Sequence, residues 1–262
     1  MGASPLIILI VNAGVFGIFA SLLIVISASV DSWQKYSFNE GTLKDINDSN
    51  PNVDIINVSD HLFYKVTETK ASKTSNATKV YYVYPTYSGI WRLCDYLTNE
   101  ERELTSKKET GLTSNKCFVF VKDYDDNPAI FSKEAMQIAR LQNSAASCYL
   151  VVLIDLIAAG VIGMIGIFRK QVASCMVTGV LYCMAALFGV FGLSMFHTKN
   201  YYEKYECYAM ELLPQSVCPA REVTIEWAIP LAWVGVIFCA LASVLWWIVA
   251  RALRVILAKT ML

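Results

Sequence analysis

The side chains that could do chemistry in this 262-residue chain are eight cysteines, two histidines, three Asn-x-Ser/Thr sequons and one acid, Asp155, set inside an apolar run. Four of the cysteines (Cys94, Cys117, Cys207 and Cys218) lie in polar stretches, and the other four (Cys148, Cys175, Cys183 and Cys239) lie in apolar ones. Cysteines in polar loops that meet an oxidising lumen are disulfide material. Four of them allow three pairings, and the two within-loop pairs are expected, Cys94 with Cys117 and Cys207 with Cys218. Closing the first of these loops stabilises by roughly 3 kcal/mol in the chain-entropy picture. The apolar cysteines read as small packing residues.

Little else in the chain supports catalysis. His61 and His197 are too few for a histidine-based metal cluster, and there is no H-E-x-x-H, G-x-S-x-G or glycine-rich phosphate loop. Cys-x-x-Cys is absent, and Cys175 and Cys183 lack the close spacing of redox pairs. The chain reads as a non-enzyme with no catalytic residue, no metal and no cofactor. It also lacks the basic patch that nucleic-acid binding requires.

Asp155 needs an account of its own, because a carboxylate mid-bilayer costs about 2.5–3.5 kcal/mol on insertion scales. One reading has it lining an ion path or pairing with a basic residue on a partner's helix. The other holds it inside the bundle, hydrogen-bonded to Tyr182 or to a Ser or Thr of a neighbouring helix.

These residues are carried by four long apolar stretches. The chain is 55% hydrophobic with 17% charged residues and no net charge, whereas a soluble domain carries about 25% charged residues. The apolar stretches run from about 6 to 30, 145 to 168, 172 to 196 and 228 to 249, each long enough to cross a bilayer as a helix. The first has no preceding Lys or Arg and exceeds a signal-peptide core, so it reads as a retained span. Its Ala13, Gly17 and Ser21 form a small-residue stripe for close helix packing, with Asn12 placed to bond across the bundle. Pro230 falls at the start of the fourth span, where it either kinks the helix or sits harmlessly in its first turn. Trp33, Tyr149, Trp227, Trp246 and Trp247 fall near the span ends, where amphipathic aromatics anchor.

Between the spans lie a polar loop at 31–140, a tight turn at Arg169-Lys170, a second polar loop at 197–227 and a tail at 250–262. The first loop holds the sequons Asn47-Asp48-Ser49, Asn57-Val58-Ser59 and Asn76-Ala77-Thr78, which mark Asn47, Asn57 and Asn76 for glycosylation. Lys79–Tyr84 and Cys117–Tyr124 are rich in aromatic and β-branched residues and read as strands, while the charged run Asn99–Lys108 reads as a solvated loop. The short turn and the tail hold five basic residues and no acids; the two long loops hold 21 acids and 17 bases. Basic residues stay in the cytosol, so both termini are expected inside and both long loops outside. Thr260-Met261-Leu262 fits the Ser/Thr-x-apolar pattern of a C-terminal ligand for PDZ domains.

Trp33, then Gly89-Ile90-Trp91 with Cys94 three residues on, then Cys117, and Arg140 ahead of the second span, resemble the claudin and calcium-channel gamma-subunit superfamily. The resemblance implies a four-transmembrane-helix bundle with a small extracellular antiparallel β-sheet, to which the second loop adds a strand. Ile90 stands where that pattern has Leu. The wide gap between Cys94 and Cys117, and Asn127-Pro128 ahead of Arg140, are more similar to the gamma-subunit branch than to claudins; the Cys207/Cys218 pair departs from it. The resemblance implies a plasma-membrane accessory subunit that binds a pore-forming channel or receptor. The alternative it carries is a claudin-like adhesion or barrier protein.

Overall fold

The computed structural model describes residues 3–59, 63–71, 76–106, 116–120, 132–210 and 213–260. In chain order the elements are α1 (Ala3–Ser29), β1 (Gln34–Phe38), α2 (Glu40–Ser49), β2 (Val53–Ser59), β3 (Phe63–Ala71), β4 (Asn76–Val83), β5 (Thr86–Ser88), β6 (Arg92–Asp95), α3 (Asn99–Ser106), β7 (Cys117–Val119), α4 (Lys133–Phe168), α5 (Val172–Tyr205), a 3-10 turn (Gln215–Ala220), β8 (Arg221–Ile225) and α6 (Ala228–Thr260). They form two compact units. A helical unit comprises residues 1–30, 144–195 and 227–262, and a sheet unit comprises residues 31–143 and 196–226.

The helical unit follows from lipid as a solvent. Four helices are long and apolar enough to cross a membrane, and a helix satisfies every backbone polar group within its own segment. Side chains such as Ile7, Ile18, Ile154 and Ile157 are exposed on their outer faces, as a lipid-facing surface requires. The inner seam is built from small residues. On α1, Ala13, Gly17, Ala20 and Ile24 are buried at helical spacing. A Cβ on Gly17 would overlap the Tyr182 ring and hydroxyl, and one on Gly235 would meet Ile24. Ser27 donates to the Ala228 carbonyl (3.0 Å) and Ser243 to that of Gly179 (2.8 Å). The stripe therefore serves internal packing. Asn12 is exposed, on the outer side of the helix and away from the inner seam.

Several aromatics depart from the expected boundary positions. Tyr149 and Trp246 are buried, because each fills the space left by a glycine on a neighbouring helix: Tyr149 lies against Gly192 and Trp246 against Gly163. Trp227 and Trp247 are exposed. Pro230 sits in the first turn of α6, where its missing N–H breaks no helical bond. Asp155 is half-buried, and its Oδ2 has no hydrogen-bond partner among the described residues. Tyr182 lies instead over Gly17, beside Ser21.

In the sheet unit, β7-β6-β5-β1-β8 form a five-stranded antiparallel sheet, and β2-β3-β4 form a second sheet of three strands. The second polar loop thus contributes β8, paired with β1 from Gln34↔Ile225 to Phe38↔Arg221. Gln34, Tyr36 and Phe38 alternate inward, the period of a half-buried strand. Tyr36, Leu93, Phe118 and Phe120 pack with Ala135, Ile138 and Ala139 of α4. Phe38, Leu43, Val53, Val66 and Val83 pack with Val217 and Ala220 under the smaller sheet.

The expected strand at Lys79–Tyr84 lies largely within β4, and the one beginning at Cys117 is β7. Residues 121–124 lie outside the described residues, as do His61, Lys107, Lys108, Asn127-Pro128 and Met261-Leu262. The charged run from Asn99 is not a loop: its described part is helix α3. Thr98 and Glu101 close a capping box, with Thr98 N–H donating to Glu101 Oε2 (2.8 Å) and Glu101 N–H to Thr98 Oγ1 (3.3 Å). Two long helices also outrun their apolar stretches. α4 begins at Lys133 and α5 continues to Tyr205: the first extension buries Ala135, Ile138 and Ala139 in the core of the sheet unit, and the second buries Lys199 and Glu203 there.

Candidate functional site

The five-stranded sheet carries most of the residues singled out by the sequence. Cys94 on β6 stands directly opposite Cys117 on β7, and the two form a disulfide with a Cα–Cα distance of 4.1 Å. Facing cysteines on adjacent strands bring their Cβ atoms close enough for a bond. Cys207 and Cys218 form the second disulfide. It ties the chain just after α5 to the 3-10 turn that leads into β8, the strand paired with β1. The four remaining cysteines are free.

Gly89, Ile90 and Trp91 make the corner between β5 and β6. Gly89 N–H donates to the Arg92 carbonyl (3.0 Å), Phe120 N–H donates to the Trp91 carbonyl (3.1 Å), and Ile90 is fully buried. Gln142, buried on α4, donates from Nε2 to the carbonyls of Gly89 (3.0 Å) and Ile90 (2.7 Å). Sequence reasoning missed Gln142; its signal is a polar residue just ahead of the second apolar stretch. Arg140, two residues earlier, is exposed. Arg92 forms an ion pair with Asp31 at 2.6 Å.

Trp33 is not a boundary anchor. It is fully buried and packs edge-on against Phe196 with ring centroids 5.0 Å apart, a contact that adds about 0.5–1.5 kcal/mol beyond area burial. Its N–H donates to the Ser88 carbonyl and its carbonyl accepts from Glu226 N–H, so it bridges β5 to the end of β8.

One helical turn beyond Phe196 lies a polar cluster that the sequence did not announce. Lys199 Nζ is 3.3 Å from Glu203 Oε1, with both side chains buried. Lys199 also donates to the Tyr36 hydroxyl (3.0 Å) and to Gln34 Oε1 (3.2 Å), and Gln34 Nε2 donates to Glu203 Oε2 (2.8 Å) and Asn200 Oδ1 (3.0 Å). Burial, and after it the Glu203 carboxylate, hold the Tyr36 hydroxyl well above the usual tyrosine range, so it remains a donor to Glu203 at 2.9 Å. The Arg221 guanidinium lies over the Tyr36 ring (5.0 Å) and donates to the Tyr208 carbonyl at 2.7 Å. The adjoining cavity is about 20 Å³, a space on the scale of one water. This arrangement fixes α5 against β1 and β8 and leaves no room for a small-molecule substrate there.

The sequons are spread over the smaller sheet. Asn57 is exposed on β2, Asn47 is half-buried on α2, and Asn76 begins β4. Among the described residues, no three His, Cys, Asp or Glu side chains converge on a metal-sized point.

A family model described as PMP-22/EMP/MP20/Claudin tight junction matches residues 18–248. No curated protein is significantly similar to the chain.

Proposed function

The chain belongs to the PMP-22/EMP/MP20/claudin family, and from that premise we propose that it is a non-enzymatic auxiliary subunit of the gamma-like branch, bound to a pore-forming channel or receptor in the plasma membrane. The observation that carries this reading is the insertion between β1 and β5. There α2 and the three-stranded sheet build a second layer whose apolar residues Leu43, Val53, Tyr64, Val66 and Val83 pack with Phe38 of β1 and with Val217 and Ala220 of the 3-10 turn. Such a layer, with three sequons and placed outside the cell, offers lateral surface to a neighbouring membrane protein. It also obstructs the flat apposition that loop-to-loop adhesion between cells demands. Outer faces of the spans then meet the partner's helices, and gating shifts because those contacts differ between the partner's closed and open states.

Purification from native membranes in mild detergent, followed by mass measurement of the intact particle, tests this. The reading requires a fixed ratio of this chain to a larger polytopic subunit, and a shift of that subunit's activation midpoint on co-expression. Homomeric strands gathered at cell–cell contacts, with no such subunit, would replace it with the adhesion reading.

A further inference from the structure

Strand β2 is an edge strand of the smaller sheet, and an open edge is a template for pairing with another chain. Its defences are one exposed charge, Asp54, and the register shift between Asn57 and Ser59; it has no Lys or Pro, and Ile56 and Val58 are exposed upon it. Its outward N–H groups are dealt with one at a time. Val53 N–H donates to the Asn50 carbonyl (3.1 Å), and Ile55 N–H donates to the side-chain Oδ1 of Asn47 (2.8 Å). Alternation along an antiparallel strand makes Asn57 the next residue facing that way. Among the described residues no cap follows on Asn57, and the register with β3 shifts between Asn57 and Ser59.

Asn57 is also the first residue of a sequon, and it is exposed. It lines an open cleft of about 510 Å³ of mixed character, where Leu43 and Ile55 lie beside Glu40, Lys44, Asn47 and Tyr64, the polar members being suited to sugar hydroxyls. Asn47, the other sequon residue in this cleft, is half-buried with its amide oxygen committed to Ile55.

We propose that Asn57 carries an N-linked glycan that covers the uncapped end of the β2 edge and keeps it from pairing with a second copy of the chain. The modification joins Asn57 Nδ2 to C1 of an oligosaccharide supplied by a polyprenyl diphosphate donor. The C1–O bond to the diphosphate breaks, the polyprenyl diphosphate leaves, and the amide gives up one proton. This inference rests on the orientation assumed in the proposed function, with the sheet unit on the lumenal side.

Endoglycosidase treatment of the full chain, run beside Asn57→Gln and Ser59→Ala, tests it. The expected result is that treatment increases the mobility of the wild-type chain and that each variant lacks one glycan-sized step. No shift in any chain would sink the orientation itself. A shift that both variants retain in full would overturn the assignment to Asn57 alone. Size-exclusion in detergent reads the covering role. Asn57→Gln is expected to elute as self-associated species, and adding Val58→Lys, which places a charge on the same edge, is expected to return it to the wild-type position. An Asn57→Gln chain that elutes as the wild type does would overturn the covering role.

Discussion

Lys199 and Glu203, one turn apart on α5, form an ion pair in which both side chains are almost wholly buried. Taking two charges out of water is costly, and what makes it tolerable here is the shell around them. Gln34 and Tyr36 from β1 satisfy the remaining donors and acceptors of the pair. The pair therefore couples a helix of the second half of the chain to the first strand, across 163 residues of sequence between Tyr36 and Lys199.

Removing one member should be far worse than removing both. Lys199→Met leaves a buried carboxylate without its ammonium and is expected to cost about 3–5 kcal/mol, as for other broken buried pairs. The double variant Lys199→Met/Glu203→Leu should recover part of that loss, read as melting temperature in detergent. Additive losses would show that the two residues do not act as a pair.

Gln142 holds the corner at Gly89 and Ile90 through two hydrogen bonds. Gln142→Leu leaves two carbonyls without their donor, at about 1–3 kcal/mol for each buried group left unsatisfied. The expected readout is a lower melting temperature with the Cys94–Cys117 disulfide still formed in non-reducing gels. An unchanged melting temperature would show that the corner stands without it.

The α1 seam makes a paired prediction. Gly17→Ala drives a Cβ into Tyr182, whereas Gly14→Ala meets nothing within 4 Å. The first should destabilise the helical unit by about 1–3 kcal/mol, the range for overpacked cores. The second should be neutral or slightly stabilising, since Ala is the better helix former by about 1 kcal/mol. Equal behaviour of the two in thermal unfolding would contradict this packing.

Cys94→Ser opens the bond across β6 and β7 and leaves Cys117 unpaired. Loss of a native disulfide typically costs about 2–5 kcal/mol in small secreted domains. Surface delivery is expected to fall more than for Cys239→Ala, which alters a free cysteine buried among the helices. Equal surface levels would count against the structural weight placed on the sheet.

The spans were legible because lipid imposes one rule on every residue of a crossing segment, and the within-loop cysteine pairs were legible because few pairings were open. What escaped depends on partners distant in sequence. The run at Asn99 looked like solvated charge, yet Arg102 turns inward to Asp95 at 2.6 Å. Its Thr98-x-x-Glu101 box was a local signal that could have marked the helix start. Lys199 and Glu203 look like surface residues until β1 supplies Gln34 and Tyr36. Trp33, Tyr149 and Trp246 escape for a related reason, since an aromatic near a span end satisfies the belt pattern whether it faces a headgroup or the protein interior.

The proposed function requires the sheet unit to lie outside the cell. The direct measurement treats intact cells with a membrane-impermeant reductant and then with an impermeant maleimide carrying a mass tag. Tagging of Cys94, Cys117, Cys207 and Cys218 is expected after reduction, and of none of them before it. Tagging of these four only after the cells are permeabilised would place the sheet on the cytosolic side and contradict the account.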